Sequence, residues 1–544
     1  MSKKTKKNPK KDILDTFVKF VREHKRNPTE AELQKLNITR NAIRWHYDTV
    51  KNLKTAARTN HPDVFKNIID ETLFTKKNFD KLTKITAKHK RFVVTTAVAG
   101  CAVHRKFYNS LKSYCEKNQA LLLIIPVSDP ASKAVGNSWE LDPIFAENND
   151  MIVFDDLALN QNLFVSGIKM SAKQIDPTTG LDRLARSCSF IFGSPKWRMR
   201  ILPNSKHKFP HILMSTGAIT IPNYHSDRYM SQRTAYLADF DHKLSALVVE
   251  LDDNDYFYVR HLSAEPHSGN FVDLGDYYHP DGSVSTLHAT LFSLGDLHAG
   301  EHDESALKVW EEVVEVTKPK YTVLHDAFNG KSIGHHDWNK IVTRAKLAQK
   351  GLISLDQELQ TTANVIKRIA NLTEKGTVVV RSNHDDWLMR YLEDGRFMKD
   401  PANFFTSTKL LEAVRQGEDA LSFGICQHLS DEERKKILWL ERDQEFSVAG
   451  IECGVHGDIS ANGIKGSLMT LEKAYGGCII GHSHTPGILR DAWQNGTSSL
   501  LDLPYNKGAS SWMHSSTLLY PNGSRQMIHS IRGKWKLDKR NKKK

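Results

Sequence analysis

The arrangement of apolar and polar positions divides the chain into three unlike stretches. From Asp12 to His24, apolar residues fall at Ile13, Leu14, Phe17, Val18, Phe20 and Val21. That is one stripe of a helix, with Asp12 placed to cap it. A second short helix is predicted from the start signal Pro28-Thr29-Glu30, and Asn37 breaks the pattern. Ile38 to Lys54 resumes it, with Ile43, Tyr47, Val50 and Leu53 on one side and Arg40, Arg44, Lys51 and Lys54 largely on the others. Helix, helix, short turn and basic helix make residues 1–75 either a helix-turn-helix module that lays basic side chains on DNA or a plain three-helix packing unit.

Residues 76–285 read as a mixed α/β domain without an evident role. RFVVTTAVAGCAVHRKFYNSLKSYCEKNQALLLIIPV has the pattern strand, helix, strand, and ALVVELDDNDYFYVRHL and FVDLGDYYHPDGSV read as strands joined by turns. No internal repeat is evident along the chain. Beyond residue 285, β-branched runs alternate with helices predicted at Ser305–Thr317, Trp338–Leu372 with a break at Gly351, and Gly463–Tyr475. Such alternation favours a layered sheet core. Ser510 to Arg532 reads as strands around the Pro521-Asn522-Gly523 turn, expected in a second sheet, and 531–544 as a basic tail.

The chemistry-bearing residues sit where these apolar runs end. STLHATLFSLGDLHAGEH empties into Asp296 and His298, two apart and therefore on one side of a strand. YTVLHDAFNG delivers Asp326, TVVVRSNHDD delivers Asn383, His384 and Asp385, FSVAGIECGVHGD delivers His456, and GGCIIGHSHTPG delivers His482 and His484. Singly each has a bland reading: His456 as a satisfied core histidine, His482 and His484 as a polar turn. Together they are carboxylate, amide and imidazole groups at one end of a sheet, where α/β proteins bind ligands. His335, His336 and Asp337 follow the Asp326 loop, either as a helix cap or as a substrate contact at the rim.

The ordered set D-x-H, D, N-H-D, H and G-H-x-H resembles the calcineurin-like metallophosphoesterase superfamily over about residues 286–530. Two departures are His325 and Ser382, which stand where that family usually has glycine. The resemblance implies a two-sheet core flanked by helices, so the fold class expected is α/β, with a metallophosphoesterase domain at 286–530 preceded by an all-α module and a mixed α/β domain. It further implies one metal held by Asp296, His298, Asp326 and His484, a second held by Asp326, Asn383, His456 and His482, and Asp326 as the bridge. Outside the metal shell, His384 would serve the leaving group and Asp385 would orient its ring. Mixed oxygen and nitrogen ligation suits Mn²⁺ or Fe, with Zn²⁺ also compatible, and the resemblance implies Mn²⁺. The family includes phosphatases, nucleotidases, phosphodiesterases and nucleases. HDAFNG at Asp326 lacks the protein-phosphatase pattern G-D-x-V-D-R-G.

Charge then narrows the substrate. The chain has 544 residues and a formal net charge of +13, which favours a polyanionic partner. The reading is a metal-dependent DNA nuclease similar to double-strand-break repair nucleases, its layout resembling host-DNA-degrading early proteins of tailed phages. The alternatives are a DNA-binding regulator that keeps the fold for structure, or a phosphatase for small molecules or proteins. Arg40, Arg44, Lys51 and Lys54 are the expected DNA contacts. No apolar run of about 20 residues and no secretory signal is visible, so a cytoplasmic place, the host's for a phage protein, is expected with no membrane partner. Six cysteines without a C-x-x-C pair fit reduced thiols. A homo-oligomer stays open.

Overall fold

The computed structural model describes residues 9–73, 75–127, 140–168, 170–205, 209–224, 231–252 and 255–537. The expected basic tails at residues 1–8 and 538–544 lie outside the described residues. It is a mixed α/β structure in which sheets, rather than sequence segments, define the architecture.

A six-stranded sheet runs Ile437–Trp439, Thr377–Val379, Tyr321–Leu324, Leu291–Ser293, His514–Leu519, Arg525–Ser530. The first four are parallel and the last two antiparallel. Alternate side chains separate the layers, as a strand's period of two requires. Phe292, Leu324 and Val379 face a core formed with helices Glu304–Thr317 and Leu355–Ala370, while Leu291, Val323 and Val378 face a ten-stranded sheet. The hairpin at 514–530 therefore extends the first sheet and not, as expected, the second. Its Leu519 pairs with Leu291, so the strand carrying Asp296 is an interior one.

The ten-stranded sheet crosses the boundary expected near residue 285. Its order is Ser447–Val448, Ile451–Glu452, Cys478–Ile480, Ala492–Gln494, Gly487–Leu489, then Arg198–Leu202, His211–Ser215, Ser189–Phe192, Leu163–Ser166, Leu157–Asn160. The two halves join where Ile488 pairs with Met199 and Leu489 with Arg198. The middle stretch is thus hydrogen-bonded into the same sheet as the C-terminal one.

That order is palindromic, and the symmetry extends to the other sheets. Arg91–Val98 pairs parallel with Leu121–Val127 and antiparallel with Ser245–Leu251, which pairs with Phe257–Ser263. Leu291–Ser293 does the same with Tyr321–Leu324, His514–Leu519 and Arg525–Ser530. Even isolated bridges match: Thr96 with Ala218 and Ala218 with Leu244 in the middle half, Asp296 with Thr497 and Thr497 with His514 in the C-terminal half. An internal repeat, not evident in the sequence, is therefore present in the fold. Two sheets of differing sequence satisfy the same ladder because backbone pairing and an alternating apolar pattern are all it demands.

The first module packs Phe17, Val18, Leu33, Ile43, Tyr47, Leu53 and Ala57 into its own core. Its first helix is Pro9–His24, so Asp12 lies in the first turn and does not cap it. The single helix expected over 38–54 is two, Arg40–Tyr47 and Val50–Asn60, because Asp48 adopts φ 67° and Thr49 caps the second by accepting from Asn52 N–H. The start of the supposed C-terminal tail packs back as well: Ile531 and Trp535 are buried. Among the described residues no helix is long and apolar enough to cross a membrane.

Candidate metal centre

Four parallel strands and the neighbouring sheet end at one crevice, and the loops leaving them carry the ligand-type residues. Asp296, His298, Asp326 and His484 are buried and place one ligand atom each within 4.8 Å of one another. His298 Nε2 and His484 Nε2 are 3.0 Å apart, and His484 Nε2 is 3.2 Å from Asp296 Oδ2. On the other side of Asp326, its Oδ2 is 3.3 Å from His456 Nε2. Asn383 Oδ1 lies 3.0 Å from that nitrogen and 3.2 Å from His482 Nδ1. All seven expected ligand residues thus form one continuous cluster, with Asp326 between its two sides.

Several of its atoms lack protein partners. Asp296 Oδ1, Asp326 Oδ1, and Nδ1 of His298, His456 and His484 are buried without a hydrogen bond, while Asp296 Oδ2 faces His484 Nε2. Burial alone would raise the carboxylates, yet His484 and His456 hold Asp296 down to about 2. Histidines 456, 384 and 298 likewise hold Asp326 well below its ordinary range despite burial. Burial pushes His298 down to about 3, whereas His456, beside Asp326, is carried up to about 9 against its own burial. Buried anionic oxygens and imidazoles with unused lone pairs are what a divalent cation would satisfy, so this cluster could hold a metal ion.

The backbone is bent to present them. His298, Asp326, His482 and His484 have φ of 47°, 44°, 77° and 59°. Left-handed conformations in non-glycine residues cost on the order of 1 kcal/mol each, and they concentrate at sites of function. Gly481 fits because a Cβ there would collide with Asp296 Oδ1 and crowd His325. Gly481→Ala is therefore expected to destabilise the fold by about 1–3 kcal/mol, the range for overpacking, and to weaken metal uptake. Denaturant unfolding and metal analysis of the variant check both.

His384 sits beside the cluster, its ring 4.7 Å from that of His298. Its Nδ1 donates to the Asn329 carbonyl at 2.7 Å, since a carbonyl only accepts, which leaves Nε2 to exchange a proton. Trp387 stacks on the ring at 3.9 Å and 24°. Asp385 does not orient the ring, contrary to expectation. It accepts from Ser382 N–H and Oγ–H, both at 2.8 Å, and closes its own turn; burial pushes it up to about 7 although Arg381 opposes. The residues that position His384, Asn329 and Trp387, escape sequence reading because one acts through its carbonyl and the other looks like a helix-face aromatic. Spacing offers one signal, Trp387 following His384 by three across the turn that starts helix Asp386–Glu393. His335 and His336 do not cap a helix, since the next begins at Ile341 after Lys340; their rings instead lie 5.2 and 5.6 Å from Trp387. Arg442 ties Asp386 to Asp458 and so clamps the Asn383 loop to the His456 loop.

The expected DNA contacts lie apart from this centre. Arg44 and Lys51 are exposed, and Arg40 is exposed but paired with Glu30. Lys54 is a correction: it is 6% exposed and faces Glu71 at 3.4 Å, so it is not presented to a partner. Its place directly after Leu53 and one helical turn before Ala57, both fully buried, puts its stem against the module core.

No model of a known protein family matches the chain, and no solved structure does. The chain is 30% identical over 481 residues to protein A1 of Escherichia phage T5, covering 82% of this chain and 83% of that protein. The chain belongs to the phage T5 protein A1 family. Within this A1-family chain, the internal repeat shows which half carries the ligand cluster. Aligning Ala218 with Thr497 through the strand registers sets Gly193-Ser194-Pro195-Lys196 on Gly481-His482-Ser483-His484. A Cβ on Gly193 would meet Thr96 Oγ1, as one on Gly481 would meet Asp296. Thr96, Val98 and Ile125 then stand at the places of Asp296, His298 and Asp326. Lys196 at the His484 place is closed into a buried pair with Asp241. Among the described residues the middle half repeats the scaffold without the ligands.

Proposed function

We propose that this protein is a two-metal DNA phosphodiesterase of the calcineurin-like metallophosphoesterase type, acting as a nuclease on host DNA during phage infection. The observation that carries the reading is Asp326, a buried carboxylate placed between two sets of nitrogen and oxygen donors whose lone pairs are largely unused. Asp296, His298, Asp326 and His484 would hold one ion and Asp326, Asn383, His456 and His482 the other, with Mn²⁺ best suited to the mixed donors and Fe or Zn²⁺ compatible. Two such cations, when bound, supply an activated water and neutralise charge on a phosphate ester.

The chain's own residues do the rest. Asn329 and Trp387 hold His384 beside the cluster with Nε2 able to carry a proton to the leaving oxygen, the work of a general acid. Glu301 anchors the loop after Asp326 through Asn329 and Lys331, and half-buried Glu358 accepts from Lys331 N–H, Ser332 N–H and Ser332 Oγ–H. That loop therefore holds its shape while substrate exchanges.

DNA as substrate is supported by the excess of 76 Lys and Arg over 63 Asp and Glu. Plasmid, single-stranded DNA, RNA and a generic phosphodiester, each assayed with Mn²⁺ and with chelator, test the reading. Chelator-sensitive cleavage of DNA is expected, and absence of any phosphodiester hydrolysis overturns it.

The first module is proposed to add affinity, not chemistry. Replacing Arg40, Arg44 and Lys51 together with alanine is expected to weaken duplex binding and to flatten the slope of log affinity on log salt by about 0.9 for each phosphate no longer neutralised. Anisotropy across a salt series, with Ca²⁺ in place of Mn²⁺, measures it. An unchanged slope with altered assembly size would make the module a protein-binding one.

A further inference from the structure

Among the described residues the middle half carries no ligands, yet its hairpins line a cleft together with a residue that touches the ligand cluster. A cleft of about 550 Å³ opens between the two halves. Phe209 and Tyr256 come from hairpins of the middle half, while Leu501, Trp512 and Arg532 come from the C-terminal half. The cleft adjoins the ligand cluster directly: the Trp512 ring stands edge-on to that of His484 with centroids 4.2 Å apart, and Met513 N–H donates to the His484 carbonyl at 3.3 Å. Tyr505, 57% exposed, has its ring 5.8 Å from that of Trp512.

The lining has a definite chemistry. Arg532 is exposed, and its guanidinium lies 5.1 Å over the Tyr256 ring. Trp512 and Tyr256 are each partly exposed. Among the described residues Asp303 is the one carboxylate in the lining, and it is engaged, capping helix Glu304–Thr317 by accepting from Ser305 N–H at 2.8 Å and Ser305 Oγ–H at 2.6 Å. Flat aromatic faces with a guanidinium plane, beside an acid already committed to a helix cap, suit planar groups strung on an anionic backbone. Unpaired nucleobases stack on aromatic rings and guanidinium planes in this manner, whereas bases inside a duplex have no free faces to offer.

We propose that this cleft is a subsite for unpaired nucleobases of the DNA strand whose phosphodiester lies at the metal centre, so that the ligand-free half forms one wall of the substrate site. The proposal rests on the phosphodiesterase reading and names the strand state that it takes. Trp512 supplies the stacking face nearest the metals, and Tyr256 with Arg532 supplies the opposite wall and a positive charge for the backbone.

Binding of a dye-labelled thymidine oligonucleotide of about ten residues to the full chain, followed by anisotropy in EDTA, tests it without turnover. Tyr256→Ala and Trp512→Ala are each expected to raise the Kd roughly ten- to hundredfold, the range for removing one stacked base, and Trp512→Phe to retain most of the affinity. Abasic nucleotides in the strand should weaken its binding to the unaltered protein to a similar extent and remove the effect of Tyr256→Ala. Arg532→Ala, at an exposed position that leaves the cores intact, should weaken binding and flatten its salt dependence. An abasic strand bound as tightly as an intact one, or a folded Tyr256→Ala protein binding like the unaltered one, overturns the subsite. The two readings fail separately, because absence of hydrolysis of a small phosphodiester with Mn²⁺ overturns the hydrolase while leaving this binding comparison to stand or fall by itself.

Discussion

Asp326→Ala is expected to reduce phosphodiester cleavage to background and to weaken metal uptake on both sides of the cluster. The reason is position. Asp326 Oδ2 is 3.6 Å from His298 Nε2 on one side and 3.3 Å from His456 Nε2 on the other, and Oδ1 has no protein partner. A carboxylate so placed is the one group that both proposed ions would share, so its loss is not confined to either. Metal analysis of the purified variant beside its turnover decides the point, with circular dichroism to show that it folds. Two bound metals with ordinary turnover would remove Asp326 from the bridging role and with it the two-metal reading.

His384→Ala should separate chemistry from metal binding. The ring is held by the Asn329 carbonyl and the face of Trp387, and it stands beside the ring of His298. Removing it is expected to leave metal content near that of the unaltered protein and to lower turnover by ~10²–10⁴, the usual contribution of a general acid. The loss should be smaller on a substrate with an activated leaving group, which needs less protonation. Should the variant lose metal while keeping its rate per bound ion, His384 is a ligand and the assignment fails.

Much of the centre was legible before any fold was known, because the ligand types are chemically narrow and their spacing is local. D-x-H at the end of an apolar run puts a carboxylate and an imidazole within one short loop, though the strand itself ends at Ser293, and G-H-x-H places two imidazoles on one tight turn. Asp385 shows where such reading stops. Its neighbour in sequence is His384, yet its carboxylate turns back to Ser382, and a backbone carbonyl fifty-five residues away holds the histidine instead. Lys54 shows the same limit on a helix: a basic residue four beyond an apolar position is buried here because Glu71, from the following turn, is there to receive it.

Composition, strand-end chemistry and helix periodicity are properties of short windows, so the α/β class, the helix near 304–317 and the residue types of a metal cluster could be read from the chain alone. The pairing of Leu519 with Leu291, the junction of Ile488 with Met199, and the palindrome of ten strands could not. They join residues roughly two to three hundred positions apart, and any β-branched run can pair with any other until the whole core selects among them. The same long-range pairing hides the repeat. Equivalent strands keep alternation and register but need not keep residues, so Gly193-Ser194-Pro195-Lys196 can stand where Gly481-His482-Ser483-His484 stands and carry none of its ligands.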